Sequence, residues 1–516
     1  MFINLPPIFL PIALAGGLAL SGCTVGPDYR GAPDAAPDAL HQPAFVRTPR
    51  DAVTAGPPIS QWWLGLNDAQ LNTLIEQALA HNPDVHAAQA RLRASRAQLQ
   101  QATANGMPTV GALGAAVRTR SPNTSLLSQG GSSNQGDGGS GGDSGGGSSG
   151  RGPVQFYTAG FDASWELDLF GGTRRAVEAA SAEADAVQAD LADTQVSLAA
   201  EVAQAYVSLR DEQQRLVLAQ RSAELQQRML DLTQQRRARG TAADVDVDRL
   251  STQVSTTRAT LVPLEAQIDE SLDRLAVLTG REPGALDQEL TANAPLPALP
   301  GQITVGDPAA MLKQRPDIRG AERRLASANA QIGEQTADLF PKVTLFGDIG
   351  FNATTLGHLA RKENFSWIGV PYLQWNVLDF GRTRGAIHAA EASRDEAEAK
   401  YEHTVLAALQ DANTALSRYG HQREHLVRLR QVQDYAERSA ELTRQRYSAG
   451  VATLIDLLDT QRSEFAAQQD VVAGQAELLQ DFVSLQKSLG LGWQEAGATS
   501  PTAGAPAASA GSAAMR

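Results

Sequence analysis

The chain has 516 residues, which corresponds to about three domains or to one elongated architecture. Its net charge of −13 argues against a nucleic-acid-binding protein, because such proteins present a clustered basic surface. A single cysteine excludes an intrachain disulfide and a cysteine-rich metal site, and after residue 22 no apolar run reaches the ~18–20 residues of a membrane helix.

The N-terminus has the pattern of a bacterial lipoprotein signal. Residues 1–22 are almost wholly apolar and end in Ser21 and Gly22, directly before Cys23. Small residues suit the signal peptidase, and the thiol of Cys23 can carry a diacylglyceryl group that anchors the mature N-terminus in a leaflet. We predict a signal peptide over 1–22, lipidation at Cys23 and an extended segment over 23–66, although residues 1–22 lack the usual basic residues. The alternative is a core cysteine behind an ordinary secretory signal.

The rest of the chain is predicted to be a tandem duplication. Trp165-Glu-Leu-Asp-Leu-Phe-Gly171 recurs as Trp375-Asn-Val-Leu-Asp-Phe-Gly381 at an offset of 210. Asn82-Pro83 recurs as Arg315-Pro316 at an offset of 233, because a Gly/Ser-rich insert of 23 residues over 130–152 lengthens the first copy. The predicted boundaries are repeat 1 over 67–300, repeat 2 over 301–493 and a disordered tail over 494–516.

Each copy is expected to hold the same elements in the same order. A helix opens at Pro83 or Pro316, since proline is favourable in a first turn. Two strands, a very long helix, a turn at Gly240 or Gly450 and a long return helix follow. In copy one we predict helices 83–104, 172–239 and 242–279, strands 107–120 and 154–170, and an external loop 121–153. In copy two we predict helices 316–337, 381–449 and 452–489, with strands 341–354 and 364–380.

Period-two alternation supports the strands. One series is apolar, namely Phe161, Ala163, Trp165, Leu167 and Leu169. The alternate series is polar and acidic, namely Asp162, Ser164, Glu166 and Asp168. Such alternation is typical of a membrane barrel with a polar lumen, and it also fits a soluble β-sandwich.

The long helices are predicted from the absence of proline over 154–262 and 372–500. Sixty-eight residues make a rod of roughly 100 Å, which must pack along its length. Coiled-coil spacing is followed by Val405, Leu409, Ala412, Leu416 and Tyr419, and by Leu198, Val202, Ala205 and Leu209.

Four strands per chain cannot close a barrel in lipid, because open edges leave unpaired backbone groups. Two chains would give eight strands, whose interior is filled by side chains, whereas three give twelve strands and leave a lumen. We therefore predict an α+β membrane protein, a trimeric twelve-stranded barrel continued by a periplasmic helical tube.

Several motifs together resemble the TolC-like outer-membrane efflux lipoproteins of the NodT type, over about residues 23–493. They are Cys23-Thr-Val-Gly-Pro-Asp-Tyr29, Trp62-Trp63 with Asp68, Trp165-Glu-Leu-Asp-Leu-Phe-Gly-Gly-Thr-Arg-Arg175, Arg315-Pro-Asp-Ile-Arg-Gly-Ala-Glu322, Phe340-Pro341 and Asp379-Phe-Gly-Arg-Thr-Arg384. The chain departs from the family at Leu66, where phenylalanine is usual, and in the Gly/Ser-rich insert.

The resemblance implies a homotrimer in the outer membrane of a Gram-negative bacterium, lipid-anchored, barrel-inserted and extending into the periplasm. It implies docking to a periplasmic adaptor and an inner-membrane pump, often of the resistance–nodulation–division type. Drugs or other toxic small molecules would leave through the pore passively, without catalysis or a cofactor. Two alternatives stay open: the exit duct of a type I protein-secretion system, and a periplasmic coiled-coil scaffold without a pore.

The resemblance also assigns roles at the helical hairpins. The residues expected at the adaptor-docking tips are Arg236, Gly240, Arg446 and Gly450. Ile455 and Asp459 match positions that narrow the closed pore, Arg462 matches a gating contact, and Asp456 corresponds to Asp246 by the offset of 210. In a trimer each aspartate occurs three times, so repulsion favours widening unless arginines or packing offset it. The alternative is that these charges only solvate an exposed turn.

His421-Gln-Arg-Glu-His425 matches the inverted zincin pattern H-x-x-E-H. The motif lies within a predicted coiled-coil helix, and the equivalent segment Asp211-Glu-Gln-Gln-Arg215 has no such ligand pair. We therefore interpret it as a solvated helix face and expect neither a metal site nor an enzyme.

Overall fold

The structure is a computed structural model that describes residues 24–49, 53–56, 59–119 and 154–493. Four predicted features lie outside the described residues, namely the signal peptide 1–22, the lipidated Cys23, the external loop 121–153 and the tail 494–516.

Helices make up most of the described chain. They are α1 Pro37–Leu40, α2 Ala69–His81, α3 Pro83–Asn105, α4 Gly172–Ala238, α5 Asp244–Ala259, α6 Leu261–Leu278, α7 Asp287–Leu290, α8 Pro308–Gln314, α9 Pro316–Ala337, α10 Arg382–Ser448 and α11 Leu454–Ser488. The two longest, α4 and α10, each contain 67 residues. Within the described ranges, no helix combines the length and the apolarity needed to cross a membrane.

The strands form two separate sheets. They are β1 Val53–Ala55, β2 Thr109–Thr119, β3 Val154–Leu167, β4 Ile303–Val305, β5 Lys342–Ala353 and β6 Phe365–Gln374. An antiparallel sheet has the order β2-β3-β5-β6, so the strand pairs of the two repeats meet at β3 and β5. A short parallel pair joins β1 to β4.

The chain divides into two compact units. Unit 1 contains the described residues of 1–30, 97–181 and 327–394, and it holds the four-stranded sheet. Unit 2 contains the described residues of 31–96, 182–326 and 395–516, and it holds the main hydrophobic core. All nine predicted coiled-coil positions are buried in that core, which confirms the seam.

Three predictions of local structure are wrong. The return helix expected over 242–279 is interrupted between α5 and α6, because Pro263 has no N–H to donate to the carbonyl of Ala259. The strands expected over 154–170 and 364–380 are shorter than predicted. β3 ends at Leu167 and β6 at Gln374, because the chain turns into a capped helix after each strand. The segment 23–66, expected to be extended, contains α1, β1 and a 3₁₀ helix at Trp62–Leu66.

The duplication is visible in how each repeat ties the start of α3 or α9 to the C-terminal end of its return helix, α6 or α11. Asn82 Nδ2 donates to the carbonyl of Leu278 at 3.0 Å, and an Arg315 guanidinium nitrogen donates to the carbonyl of Ser488 at 2.7 Å. Leu278 and Ser488 are equivalent at the offset of 210. Both side chains thus satisfy a carbonyl at a helix C-terminus, a group without an intrahelical partner.

A buried arginine organises unit 2 in the first repeat. Arg210 is 1% exposed, and its guanidinium donates to Gln70 Oε1 at 2.5 Å and to the carbonyl of Ala292 at 2.9 Å. The same group lies 4.9 Å from the ring centroid of Tyr206, whose hydroxyl donates to Asp68. These contacts satisfy a charge that would be costly to bury alone, and they join α4 to the start of α2.

The two hairpin turns end their first helices in the same way. Gly240 and Gly450 both have φ of +76°, and the next residue of each donates its N–H to the carbonyl of Arg236 or Arg446 at 2.9 Å. This is a Schellman motif, in which glycine takes the left-handed conformation at little cost. The predicted C-cap glycines are confirmed.

The second helices of the hairpins start differently. Thr453 and Asp456 form a capping box at α11, in which Thr453 Oγ1 accepts the Asp456 N–H and the Asp456 carboxylate accepts the Thr453 N–H. The hydrogen bonds from Thr453 hold the pKa of Asp456 below its ordinary value. At α5 the corresponding N-cap is Ala243, which has no hydroxyl, so Asp246 lacks this capping partner.

Glu212 is a partly buried carboxyl group between α4 and α6. It accepts a hydrogen bond from Ser271 Oγ at 2.8 Å. Burial raises its pKa to about 7, and the Ser271 hydrogen bond opposes this only in part. The folded chain therefore holds a proton on Glu212 that the unfolded chain releases at lower pH.

We expect Glu212→Gln to remove part of the pH dependence of stability. Between the ordinary pKa of 4.5 and the folded value of about 7, the parent loses stability as pH rises, because only the folded state still binds the proton. Acidification from about pH 8 to about pH 5 should raise the melting temperature of the parent more than that of the variant, as followed by circular dichroism. Glu265→Gln, at an exposed position of α6, should respond like the parent; a parental response in Glu212→Gln would contradict the assignment.

The asymmetric caps predict opposite effects at the two hairpins. Thr453→Ala should cost about 1 kcal/mol locally and speed amide exchange in the first turn of α11 about fivefold. Ala243→Thr should supply the missing partner for Asp246 and slow exchange in the first turn of α5. Ser463→Ala removes a hydroxyl that bonds only within α11 and should change neither turn. Unchanged exchange in both cap variants would exclude this role of the caps.

Candidate functional site

The predicted polar row lies on one face of β3. Asp162 is opposite Gly111 of β2 and Asp348 of β5, and Ser164 is opposite Thr109, whose hydroxyl lies 2.8 Å from that of Ser164. A Cβ atom at Gly111 would come within 2.8 Å of the Asp162 carboxylate, so glycine leaves that carboxylate its space. Two carboxylates on adjacent strands repel each other, and sequence reasoning missed Asp348 because its partner strand was unknown.

The opposite face of the sheet is apolar and exposed. Cross-strand register places the following side chains on it, each at least 38% exposed: Val110, Phe161, Trp165, Leu345, Ile349 and Trp367. A contiguous exposed apolar face marks a surface that contacts lipid or protein. The face shared with Asp162 also carries exposed apolar residues on all four strands, namely Leu113 and Val117 of β2, Phe156 of β3, Phe346 of β5 and Ile368, Val370 and Tyr372 of β6.

Asp168 does not belong to the strand row, so that part of the prediction is wrong. It follows the end of β3, and its carboxylate accepts the backbone N–H of Arg174 at 2.9 Å at the start of α4. Asp379 does the same at α10, where it accepts from Thr383 at 2.8 Å and Gly381 at 3.0 Å. Hydrogen bonds from Thr383 lower the pKa of Asp379 to about 2. Glu166 stays in β3 and is exposed.

The predicted docking tips contact each other. An Arg236 guanidinium nitrogen lies 3.4 Å from the hydroxyl of Tyr447, and Arg237 pairs with Asp244 across its own turn. Behind them a small apolar cluster joins the hairpins of the two repeats, and its buried members are Leu230, Leu250, Val254 and Leu454. Arg446 is exposed beside Gly450.

The predicted gate residues divide into two groups. Ile455, Asp459 and Arg462 are exposed on one stripe of α11, and Arg462 donates to Gln253 of α5 at 3.0 Å rather than to Asp459. Asp456 and Asp246 instead occupy the first turns of α11 and α5. The stripe has a counterpart in copy one that sequence reasoning missed, because Val245 and Arg249 are exposed at the positions equivalent to Ile455 and Asp459.

The H-x-x-E-H motif lies in α10, and His421, Glu424 and His425 are all exposed. Among the described residues, no group of three His, Cys, Asp or Glu side chains could hold a metal ion.

The chain is similar to known outer-membrane efflux proteins along most of its length. The sequence profile of the family "Outer membrane efflux protein" matches residues 74–281 and 308–491. Nodulation protein T of Rhizobium leguminosarum bv. trifolii is 29% identical over 476 residues, which cover 92% of this chain and 96% of that protein. The toluene efflux pump outer membrane protein TtgF of Pseudomonas putida is 31% identical, over 94% of this chain and 97% of its own.

A solved structure has the same fold. The outer-membrane channel OprN matches with a TM-score of 0.81 and 34% identity, over 92% of this chain and 100% of that one. The profile covers well over half of the sequence, and its matched ranges contain the motifs at 165–175, 315–322, 340–341 and 379–384. The chain therefore belongs to the outer membrane efflux protein family.

Proposed function

We propose that the protein is the outer-membrane channel of a tripartite efflux system, assembled as a homotrimer. Three four-stranded sheets would close a twelve-stranded barrel, and the long helices would continue it as a tube into the periplasm of a Gram-negative cell. A periplasmic adaptor and an inner-membrane pump, of the resistance–nodulation–division type, would deliver the substrate. Acyl chains on Cys23 would add a second attachment to the outer-membrane lipid.

The observation that carries this proposal is the four-stranded sheet with its exposed apolar face. In the described residues β2 and β6 each have one hydrogen-bonded neighbour, so both outer edges need further partners in a membrane. Trp367 is 75% exposed and Val110 is 70% exposed on the apolar face, which lipid would cover. Association of identical chains would pair the edges while leaving that face toward lipid.

The polar row of β3 supports passive conduction. Asp162, Ser164 and Glu166 would line the lumen and give the channel a preference for cations. The name of TtgF refers to toluene efflux, which supports toxic small molecules as the class of substrate.

The stripe on α11 supports a gate at the periplasmic end. Ile455, Asp459 and Arg462 would narrow the closed pore, and the adaptor would open it by engaging the tips at Arg236 and Arg446. Since Arg462 bonds Gln253 of α5, its release would separate the hairpins of the two repeats.

Deletion of the encoding gene should sensitise cells to toxic small molecules, toluene among them. The wild-type gene should restore resistance, and the purified protein should give ion currents in planar bilayers. The empty vector is the control for rescue. A purified lipid-modified chain that stays monomeric in water and never enters vesicles would overturn the proposal.

Asp459→Ala combined with Arg462→Ala should raise the open probability about tenfold, if the lost Arg462 hydrogen bond to Gln253 costs the closed state about 1.4 kcal/mol more than the relieved Asp459 repulsion returns. Single-channel recording in planar bilayers measures this. Asp434→Ala with Arg430→Ala removes the same charges from exposed positions of α10 and is the matched control. An unchanged open probability in the α11 variant would remove the gate assignment.

A further inference from the structure

The first described residues of the chain dock at the strand–helix junction of the first repeat. We call Thr24–Asp28 the strap. The N–H of Val25 donates to the carbonyl of Phe170 at 3.1 Å, between β3 and α4. Asn329 Nδ2 of α9 donates to the carbonyl of Pro27 at 3.0 Å. The strap is therefore held by two elements of unit 1.

Arg175 makes the strongest contacts to the strap. Its side chain is 4% exposed, and its guanidinium lies 2.5 Å from an Asp28 carboxylate oxygen and 2.7 Å from one of Glu178. Its Nε also donates to the carbonyl of Val25 at 3.2 Å. A buried guanidinium requires such partners, and the strap supplies two of them. The side chain of Asp28 is 73% exposed, so in the Arg175–Asp28 ion pair the arginine is buried and the strap residue faces solvent.

Glycines at matching points of the strap and of α9 allow this docking. A Cβ atom at Gly26 would lie 2.4 Å from Gly333 Cα, and Gly26 has φ of +88°. A Cβ atom at Gly333 would in turn come within 2.8 Å of Arg175 Cγ. Glycine weakens a helix interior, so close approach of the strap and Arg175 accounts for Gly333 within α9.

The site is formed by α4 of the first repeat and α9 of the second, and the equivalent pair of helices, α10 and α3, lacks its residues. At the repeat offsets, Arg175 corresponds to Gly385, Gly333 to Gln100 and Asn329 to Arg96. Each of the three residues that hold the strap, Arg175, Asn329 and Gly333, is thus replaced by a different residue type at the equivalent position of the other repeat. Since the chain has one N-terminus, one copy of the site is sufficient.

We propose that Arg175 is a positioning residue that fixes the acylated N-terminus beside the sheet. Thr24 lies against Gly171, where a Cβ atom would be 2.9 Å from Thr24 Cα, and Gly171 follows the end of β3 by four residues. Cys23 directly precedes Thr24 in the sequence. Because the strap is docked there, the acyl chains on Cys23 would enter the leaflet at which β3 ends. This inference rests on the proposed membrane channel and on lipidation of Cys23.

Limited proteolysis of the full acylated protein tests the strap. In vesicles of phosphatidylethanolamine and phosphatidylglycerol, trypsin should cut after the exposed Arg30 slowly in the parent. Arg175→Ala should speed this cut about tenfold, the factor expected for a lost charge-assisted hydrogen bond. Asp28→Ala should act in the same direction and leaves Arg175 paired with Glu178, so the fold is retained. Arg384→Ala, in the first turn of α10, is the matched control.

Cleavage at a second site distinguishes release of the strap from a general loss of protein stability. Cleavage after Lys342, at the start of β5, should keep its parental rate in both strap variants. Faster cleavage at both sites, or parental rates after Arg30 in both variants, would overturn the inference. Current is recorded from the same vesicles. Absence of current in the parent would overturn the channel itself, whereas parental cleavage in a conducting preparation would overturn the strap alone.

Discussion

Backbone hydrogen bonding at the outer strands is the constraint on which the rest of the molecule depends. Within the described residues, β2 and β6 each pair on one side, while the apolar face of the sheet is open. Water would satisfy the edges and leave the apolar face uncovered; lipid would cover the face and leave the edges unpaired, at several kcal/mol per group. A single chain can either satisfy its strand edges, in water, or cover its apolar face, in lipid, but not both. The proposed closure by identical chains would meet both.

The two repeats contain similar helical hairpins. Equivalent positions that carry different residues mark the contacts that only one repeat makes. Arg210 corresponds to Gly420 at the offset of 210. In the first repeat Arg210 binds the carbonyl of Ala292 and so holds the connection between the repeats. In the second, a Cβ atom at Gly420 would come within 3.1 Å of Pro49 Cβ, so glycine leaves room for the N-terminal segment. The same repeat position therefore contacts the segment around Ala292 in one copy and the segment around Pro49 in the other.

Sequence reasoning located the elements because their signals are local. Period two identified β3, the absence of proline identified α4 and α10, and the offset of 210 identified both turns. The break before α6 could have been predicted, since Pro263 is visible in the sequence. The three-residue pair of β1 with β4 could not, because such short strands show no period and are joined by tertiary contacts alone.

The candidate site was less predictable than the fold, for the same reason. Resemblance identified the exposed stripe of α11, yet the partner of Arg462 is Gln253, which is distant in sequence. Asp168 continues the alternation of β3, and its use as a helix cap depends on where α4 begins. Arg175 stands in a quoted motif, but its role depends on a strap about 150 residues away in the sequence, where no local pattern reports the contact.

The acidic pair in the sheet restricts which of its two faces can be buried. Asp162 and Asp348 are direct cross-strand neighbours, and like charges in that arrangement are destabilising. A soluble sandwich would bury one face of this sheet against a second sheet. Burying the polar face would remove water from both carboxylates, and burying the apolar face would leave the polar one outside, with both edges open. Water reaches the carboxylates in a lumen and also on the outer face of a sandwich, so the pair excludes burial of the polar face and is compatible with the proposed barrel.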